Sequence, residues 1–344
     1  MIAIQKTVGE LGVQFTELEV PSIGRNEVLI EVKATALCKS DVDVYEWTQL
    51  VQNGNYKLPF TMGHEFSGLV VEVGADVKGV KVGDRVAGET HIPCGHCYTC
   101  RTGNQHICRN NMGVIGRSVN GCFAEYIKIP EIAVIKLPDT VTYRQGAILE
   151  PFATAMHALS KVNLAGSTIA VLGMGTIGLM TVELAKFLGC TQIFTMANND
   201  KRLDESKRLG ADITINGLKE DFVEVIMRET KGVGVSSIID MTGNDSVINK
   251  SIESLRVAGT LVHVGMVQKP LTFNNYMYGV VYKELNITGI FGRRMFETWE
   301  TVMSILDTGR INLDSYIGKV MKLEDFDQAI ADFKNVSGRI VFEL

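Results

Sequence analysis

The second half of the sequence alternates short apolar runs with longer stretches of helical spacing, and this alternation constrains the fold more than any other feature. It starts near Leu164 with the strand-like "STIAVLG" and the helix-like "TIGLMTVELAKFLG", and it ends with the strand-like "ELNITGIFG". Strands that alternate with helices of about ten to fifteen residues form a parallel sheet covered on both faces. The sequence therefore predicts an α/β fold with a doubly wound parallel sheet over residues 151–290, in which "DSVINKSIESLRVAG" is one helix.

A glycine-rich turn joins the first strand of this region to its first helix. It reads Gly173-Met-Gly175-Thr-Ile-Gly178. Gly173 permits a tight turn, Gly175 lets the backbone approach a pyrophosphate, and Gly178 lets the helix and strand pack closely. Because free N–H groups at a helix N-terminus stabilise phosphate charge, we predict a dinucleotide site here. Its residues are Gly173, Gly175, Thr176, Ile177 and Gly178.

The second strand of the same region runs into "TMANND", in which Ala197 or Asn198 stands where an acidic residue usually accepts the ribose hydroxyls of NAD, and Asp200 lies beyond it. Asn198 stands near that position and can still bond to a plain ribose. Lys201 and Arg202 follow, and such cations can hold a 2′-phosphate. We therefore predict NAD as the cofactor, with NADP possible, and add Asn198 and Arg202 to the cofactor-binding set.

Residues 1–150 have a different pattern, in which strands alternate apolar and polar residues between glycines and short polar turns. Clear examples are "EVLIEVKATAL" and "GLVVEVGADVKGVKVGDRVAG". This part is predicted to be a small barrel or sandwich with long loops. At the other end of the chain, "FETWETVMSILDTG" and "LEDFDQAIADFKNV" look helical and "GRIVFEL" looks like a strand. This tail could return to the first lobe.

Four of the seven cysteines lie in one loop, "HIPCGHCYTCRTGNQHIC". The spacing C-x2-C-x2-C-x7-C supplies four thiolates, which is the number that a closed tetrahedral zinc site requires. In a reducing compartment such a cluster is more often a metal site than a disulfide framework. We therefore predict a structural zinc ion, with these ligands: Cys94, Cys97, Cys100 and Cys108.

Further metal-binding residue types lie outside this loop: Cys38 in "ALCKSD", His64 and Glu65 in "MGHEFSG", and Glu150 in "LEPF". Together they supply a thiolate, an imidazole and two carboxylates. Catalytic zinc usually has three protein ligands and keeps one position open for water or substrate. These residues therefore form a candidate catalytic zinc site.

Charge and hydropathy argue against other classes of protein. The net charge of −5 lacks the basic excess of a nucleic-acid binder. The longest uncharged stretch, Val162–Val182, is broken by several glycines and does not resemble a membrane span. The opening "MIAIQKTVGELG" has no apolar core of a secretory signal. We expect a cytoplasmic protein that binds neither nucleic acid nor membrane.

Several motifs together resemble the zinc-dependent medium-chain alcohol dehydrogenases: "GHEFSGLVVEVG", "VGDRV", the four-cysteine loop, "GCFAEY", "LEPF" and "VLGMGTIGL". The resemblance covers essentially the whole chain. It implies a GroES-like β-rich catalytic domain from residues 1–150 with 291–344, a Rossmann domain over 151–290, and a homotetramer. It also implies hydride transfer from a secondary alcohol to NAD(P). "HIPCGHCYTCRTGNQHICRN" and "GIFGRRMFETW" are most similar to the threonine dehydrogenases of that family. A polyol or vicinal-diol dehydrogenase, of the sorbitol or 2,3-butanediol type, is the alternative.

The resemblance also implies roles for individual residues. The catalytic zinc falls on Cys38, His64 and Glu65, with Glu150 as a near or exchangeable ligand. His91 and Arg293 match positions near the substrate.

The proton relay of that family is altered here. Ser40 carries the hydroxyl that takes the substrate proton. Asp43 stands where a relay histidine is usual, and Lys39 replaces a glycine beside Cys38. We expect Asp43 to serve as the far end of the relay.

Overall fold

The chain divides into two compact units, and the first is built from both ends of the sequence. Residues 1–151 and 294–344 form the first unit, and residues 152–293 form the second. The computed structural model describes residues 1–54, 56–110, 113–267 and 269–344. Within these ranges no helix combines the length and the apolar sequence needed to cross a bilayer.

The first unit is rich in β-structure, as its alternating sequence predicts. Its strands, numbered along the whole chain, are β1 (Ile2–Lys6), β2 (Gln14–Glu17), β3 (Glu27–Ala36), β4 (Phe60–Thr61), β5 (Glu65–Val73), β6 (Arg85–Gly88), β7 (His91–Ile92), β8 (Gly113–Val114), β9 (Tyr126–Pro130), β10 (Val134–Lys136), β17 (Ile317–Lys322) and β18 (Arg339–Glu343). The main sheet has the order β10-β6-β5-β3-β18-β17, and β9 also pairs with β3. Side chains of β3 such as Val28, Ile30 and Val32 lie in the core of this unit.

The C-terminal tail completes the sheet of the first unit. β18 pairs antiparallel with β3, and β17 lies parallel to β18 at the edge. The return of the tail to the first lobe is therefore observed. The sequence did not reveal β17, whose side chains are mostly exposed or half-buried and so lack a buried face to mark the strand.

Short helices connect these strands. They are α1 (Lys39–Glu46), α2 (Gln49–Gln52), α3 (Tyr98–Arg101), α4 (Tyr143–Ala147), α10 (Glu297–Asp307) and α11 (Phe326–Asp332), while α5 (Leu149–Leu159) carries the chain from the first unit into the second. α1 begins immediately after Cys38, whose backbone N–H donates to Asp41 Oδ2 at 2.9 Å. This capping of the helix start fixes the turn on which Cys38 lies.

The second unit contains a parallel sheet with the order β13-β12-β11-β14-β15-β16. Its strands are β11 (Thr168–Leu172), β12 (Gln192–Ala197), β13 (Ile213–Asn216), β14 (Val235–Asp240), β15 (Leu255–His263) and β16 (Asn286–Gly289). In chain order within the unit this is 3-2-1-4-5-6, the strand order of a Rossmann dinucleotide-binding fold. The predicted doubly wound sheet is confirmed.

The helices of the second unit are α6 (Thr176–Phe187), α7 (Asp200–Arg208), α8 (Phe222–Glu229) and α9 (Asp245–Ser254), followed by a π-helical turn at Met277–Val281. One sequence prediction was wrong at the end of α9. The stretch "LRVAG" was expected to continue the helix, but the helix ends at Ser254 and β15 begins at Leu255 with no intervening turn.

Candidate zinc centres and dinucleotide loop

The four cysteines of the loop converge on one point in the first unit. Their Sγ atoms all lie within 4.8 Å of one another. Cys97 is 3.4 Å from Cys100 and 3.7 Å from Cys108, and Cys94 is 3.9 Å from Cys100. A zinc tetrahedron with Zn–S bonds of about 2.3 Å has S–S edges of about 3.8 Å, whereas a disulfide needs about 2.05 Å. The spacing therefore fits four thiolates around a tetrahedral metal ion.

Local structure prepares this loop for thiolates. Cys97 precedes α3, and its Sγ lies 3.2 Å from the Thr99 hydroxyl. That hydrogen bond is the largest of the effects that lower the pKa of Cys97 to about 5. Burial raises the pKa of Cys100 to about 12, and a divalent cation would favour its anionic form.

A second cluster joins Cys38, His64 and Glu65, whose ligand atoms also lie within 4.8 Å of one another. The sheet register brings them together, because Ala36 of β3 is paired with Glu65 of β5. Cys38 is the second residue after β3, and His64 immediately precedes β5. The structure thus unites three residues that are separated by up to 27 positions in the sequence.

Arg339 adds a buried positive charge to this cluster. β18 lies beside β3, with Val341 opposite Ala36. This pairing brings Arg339 Nη2 to 2.8 Å from Glu65 Oε1 and 4.0 Å from Cys38 Sγ. The other carboxylate oxygen, Glu65 Oε2, is buried and has no hydrogen-bond partner among the described residues. A buried, unpartnered acceptor beside a thiol and an imidazole fits a metal ligand.

Neighbouring charges shift the protonation of the cluster. Burial raises the pKa of the Cys38 thiol, but the charge of Arg339 and the hydrogen bond to His64 outweigh it and lower that pKa to about 7. Burial raises the pKa of the Glu65 carboxyl well above its usual range. A divalent cation between these groups would favour the anionic form of both, which is the form that binds metal.

Asp41 orients the imidazole of the cluster. Its Oδ1 lies 3.5 Å from His64 Nδ1, and Asp41 is almost fully buried. Burial lowers the pKa of His64, but the charge of Asp41 outweighs it and raises this pKa well above the ordinary value. A carboxylate facing Nδ1 directs Nε2 to the opposite side of the ring, as is usual for histidines that bind metals.

Glu150 lies near this cluster but outside the group of three. Its Oε1 accepts a hydrogen bond from the Thr90 hydroxyl at 3.0 Å. Its charge contributes to raising the pKa of Glu65. The structure therefore places Glu150 close enough to act on the cluster electrostatically, while its carboxylate is held by Thr90.

His91 is held on the same segment by a buried carboxylate. Its Nδ1 lies 2.8 Å from Glu89 Oε1, and its backbone N–H donates to the same oxygen at 3.0 Å. The indole N–H of Trp299 donates to Glu89 Oε2 at 2.8 Å. These three side chains are almost fully buried. His91 is thus part of a rigid buried network, with Nδ1 as the donor toward Glu89.

The predicted relay residues lie on α1. Ser40 is exposed, and Asp43 is partly buried one turn further on. Lys39 forms an ion pair with Asp43 along the helix, and its side chain is 58% exposed. Lys39 therefore compensates the charge of Asp43.

The glycine turn of the second unit has the geometry that a dinucleotide loop requires. Gly173 has a φ of +102°, which L side chains rarely adopt. A Cβ on Gly178 would lie 2.1 Å from the Gly173 carbonyl oxygen, so helix and strand could not pack this closely with any other residue. A Cβ on Gly175 would meet open space. Thr176 and Ile177 then begin α6.

The remaining candidate residues also lie in the second unit. Asn198 follows β12, and Arg202 lies in the first turn of α7. Arg293 was expected near the substrate; it is 1% exposed, and its Nη1 donates to the Thr154 hydroxyl at 3.3 Å.

Sequence reasoning missed several partners of the site: Asp41, Glu89, Thr90, Trp299 and Arg339. Asp41 had a local signal, since it lies three residues after Cys38 at a helix start. Arg339 had a weaker one, an arginine that begins the apolar run of "GRIVFEL". Glu89, Thr90 and Trp299 gain their roles only through contacts between distant segments.

Comparison with known proteins identifies two family domains in this chain. Residues 24–139 match the alcohol dehydrogenase GroES-like domain, and residues 176–308 match the zinc-binding dehydrogenase family. An L-threonine 3-dehydrogenase of Caldanaerobacter subterraneus is 41% identical over 311 residues, which cover 90% of this chain and 88% of that protein.

Solved structures show the same architecture over the full length. Galactitol-1-phosphate dehydrogenase from Escherichia coli superposes with a TM-score of 0.91 at 25% identity, covering 100% of both chains. 2R,3R-butanediol dehydrogenase from Bacillus subtilis has a TM-score of 0.88 at 31% identity, covering 100% of this chain and 99% of the other.

Fold, matched domains and relatives together define a zinc-binding oxidoreductase with a nicotinamide cofactor. The chain belongs to the zinc-dependent medium-chain alcohol dehydrogenases, whose members transfer hydride from an alcohol to NAD(P). The family and fold class predicted from the sequence are confirmed.

Proposed function

We propose that this enzyme oxidises the 3-hydroxyl of L-threonine, or of a closely related 2-amino-3-hydroxy acid, to a ketone. The observation that carries the proposal is the convergence of Cys38, His64 and Glu65, with the unpartnered Glu65 Oε2 beside them. The similarity to L-threonine 3-dehydrogenases over nine-tenths of the chain supports the choice of substrate.

We assign the catalytic zinc to Cys38, His64 and Glu65, with Glu150 as an exchangeable ligand, in a catalytic domain of residues 1–150 and 291–344. The structural zinc is assigned to the four-cysteine loop. Zinc held at the first site would supply a Lewis acid that lowers the pKa of a hydroxyl, and NAD(P) held by the domain of residues 151–290 would supply the hydride acceptor.

The chain's own residues then position the substrate and carry its proton. Ser40, two residues after Cys38, takes the hydroxyl proton, and Asp43 receives it at the far end of the relay. His91, fixed by Glu89, and Arg293 bind the groups adjacent to the reacting carbon. Arg339 holds Glu65 Oε1 and so leaves Oε2 for the metal.

A vicinal diol is the second candidate substrate. The ion pair between Lys39 and Asp43 alters the relay end of α1 relative to the usual glycine and histidine. The similarity to 2R,3R-butanediol dehydrogenase over the full length favours the same alternative.

The deciding experiment measures initial rates of reduced cofactor formation with L-threonine, 2,3-butanediol and sorbitol, each with NAD and with NADP. The proposal predicts the highest kcat/KM for L-threonine. A kcat/KM for a diol or polyol more than about tenfold higher, a difference of about 1.4 kcal/mol in transition-state stabilisation, would overturn it.

We also propose that the enzyme is a cytoplasmic homotetramer. The π-helical turn and its flanks carry exposed Tyr276, Tyr278 and Tyr282, and Phe291 is also exposed nearby in the chain. β16 is an edge strand of the parallel sheet and exposes Ile287. Exposed aromatic residues and an uncovered strand edge are typical of subunit contacts. Light scattering of the purified protein measures the subunit number.

A further inference from the structure

The adenosine end of the dinucleotide site carries an unusual arrangement of charges. In a Rossmann domain, an acidic residue after the second strand binds the ribose hydroxyls of NAD and repels the 2′-phosphate of NADP. In this chain Ala197 ends β12 and Asn198 follows it. The next carboxylate along the chain is that of Asp200, at the start of α7.

Asp200 is held by residues on the far side of β12 from the glycine turn. Its Oδ1 accepts a hydrogen bond from Asn216 Nδ2 at 2.6 Å, and its Oδ2 lies 2.8 Å from Lys219 Nζ. Asn216 ends β13 and Lys219 follows it, whereas the glycine turn follows β11. Because β12 lies between β11 and β13, the Asp200 carboxylate is drawn away from the turn that holds the pyrophosphate.

Lys219 also compensates the charge of this carboxylate, and it lowers the pKa of Asp200. The cations Lys201 and Arg202 follow directly, and Lys201 is exposed. Asn198 presents an amide, which can donate a hydrogen bond to a phosphate oxygen as a carboxylate cannot. The carboxylate at the start of α7 is thus paired with a cation, and Asn198 and Lys201, its neighbours in the chain, carry groups that can bind an anion.

We propose that the ribose end of this site accepts a 2′-phosphate, so that the enzyme binds NADP(H) at least as tightly as NAD(H). Asn198 and Lys201 contact the phosphate. The bonds from Asn216 and Lys219 to Asp200 keep that carboxylate away from the phosphate. The inference rests on the dinucleotide site proposed above but not on the identity of the alcohol.

The test measures dissociation constants of NADPH and NADH for the full chain by fluorescence titration without alcohol. For the native protein the NADPH constant should be equal to or below that of NADH. N198D should weaken NADPH binding by about 100-fold and leave NADH binding equal or tighter, because the new carboxylate repels the phosphate and accepts the ribose hydroxyls. K201A should weaken the binding of NADPH by about fivefold and leave that of NADH unchanged. Added salt should reduce the difference in NADPH binding between K201A and the native protein.

Lys207 provides the matched control, since it is an exposed lysine in the last turn of the same helix. K207A should leave both constants unchanged. Native protein that binds NADH more than about tenfold tighter than NADPH, a difference of about 1.4 kcal/mol, would overturn the inference, as would equal effects of N198D on both cofactors. Failure to bind either cofactor would overturn the dinucleotide site itself, whatever the alcohol activity.

Discussion

At the scale of single residues, Cys38 is the ligand whose loss separates metal chemistry from cofactor binding. It lies in the first unit, whereas the glycine turn lies in the second. Cys38→Ser should lower kcat by at least about 1,000-fold, because a hydroxyl is a poor zinc ligand at neutral pH. The dissociation constant of NAD(P)H should stay within about twofold of the native value. Stopped-flow rates and fluorescence titration measure the two quantities. Turnover equal to that of the native protein would contradict the zinc assignment.

Arg339 controls the ionisation of Cys38 in the metal-free protein. Its charge opposes the effect of burial and keeps the pKa of Cys38 near 7. The thiolate is the reactive form, so alkylation of Cys38 should increase as the pH rises through about 7. Arg339→Met removes the cation and raises the pKa of Cys38. The rate of Cys38 alkylation at pH 7 should then fall by about tenfold for each unit by which this pKa rises.

Mass spectrometry of the zinc-free protein after brief iodoacetamide treatment measures this rate at each cysteine. Arg339→Lys keeps the charge and should behave like the native protein. Cys190 is an internal reference, because burial raises its pKa and it should stay unmodified. An unchanged pH midpoint at Cys38 in Arg339→Met would show that Arg339 has no electrostatic role there.

At the scale of elements, the junction between α9 and β15 shows why sequence reasoning failed there. "SIESLRVAG" contains no glycine or proline before Gly259 to stop the helix. The stop comes instead from Lys283, whose Nζ donates to the carbonyl oxygens of Ile252, Glu253 and Leu255 at 2.7–3.0 Å. An ammonium there satisfies the carbonyls that a helix end exposes. A partner about thirty positions away is invisible to a local pattern.

Lys283→Met tests this role, because it keeps the aliphatic stem and removes only the ammonium. We expect the free energy of unfolding of the second unit to fall by about 2 kcal/mol, since helix C-terminal carbonyls lose a charged donor. Urea denaturation followed by far-ultraviolet circular dichroism measures this free energy. Lys207→Met, at an exposed position of α7, is the control and should change the free energy of unfolding by less than about 0.5 kcal/mol. Equal losses in both variants would argue against a capping role.

The site itself was predictable where its residues are neighbours in sequence or follow a known local rule. The four cysteines occur within fifteen residues, and the glycine turn follows a strand and begins a helix. Cys38, His64 and Glu65 were identified by residue type, but only the pairing of β3 with β5 brings them together. Arg339 depends on β18 joining the same sheet from the other end of the chain. Register between distant strands is what the sequence pattern does not specify.

At the scale of the whole molecule, the two candidate zinc centres should differ in what their removal does. The four-cysteine loop has a closed donor set that leaves no position for a substrate, so its metal stabilises structure. The Cys38 cluster is anchored beside strands of the main sheet, and these strands are joined by backbone pairing between β3, β5 and β18. Loss of zinc should therefore unfold a loop in one case and stop chemistry in the other.

Two serine variants make this distinction measurable. Native protein should contain two zinc ions per chain, and Cys100→Ser and Cys38→Ser should each contain one. Cys100→Ser should shorten the half-life of activity at elevated temperature by at least about tenfold, because structural zinc contributes folding free energy directly. Cys38→Ser should keep the native melting temperature within about 2 °C while losing activity, because its sheet framework remains intact. Elemental analysis, thermal inactivation and calorimetry provide the readouts.

A Cys100→Ser variant with one zinc and native thermal stability would show that the loop metal is not structural. A native protein that contains only one zinc per chain would remove one of the two centres.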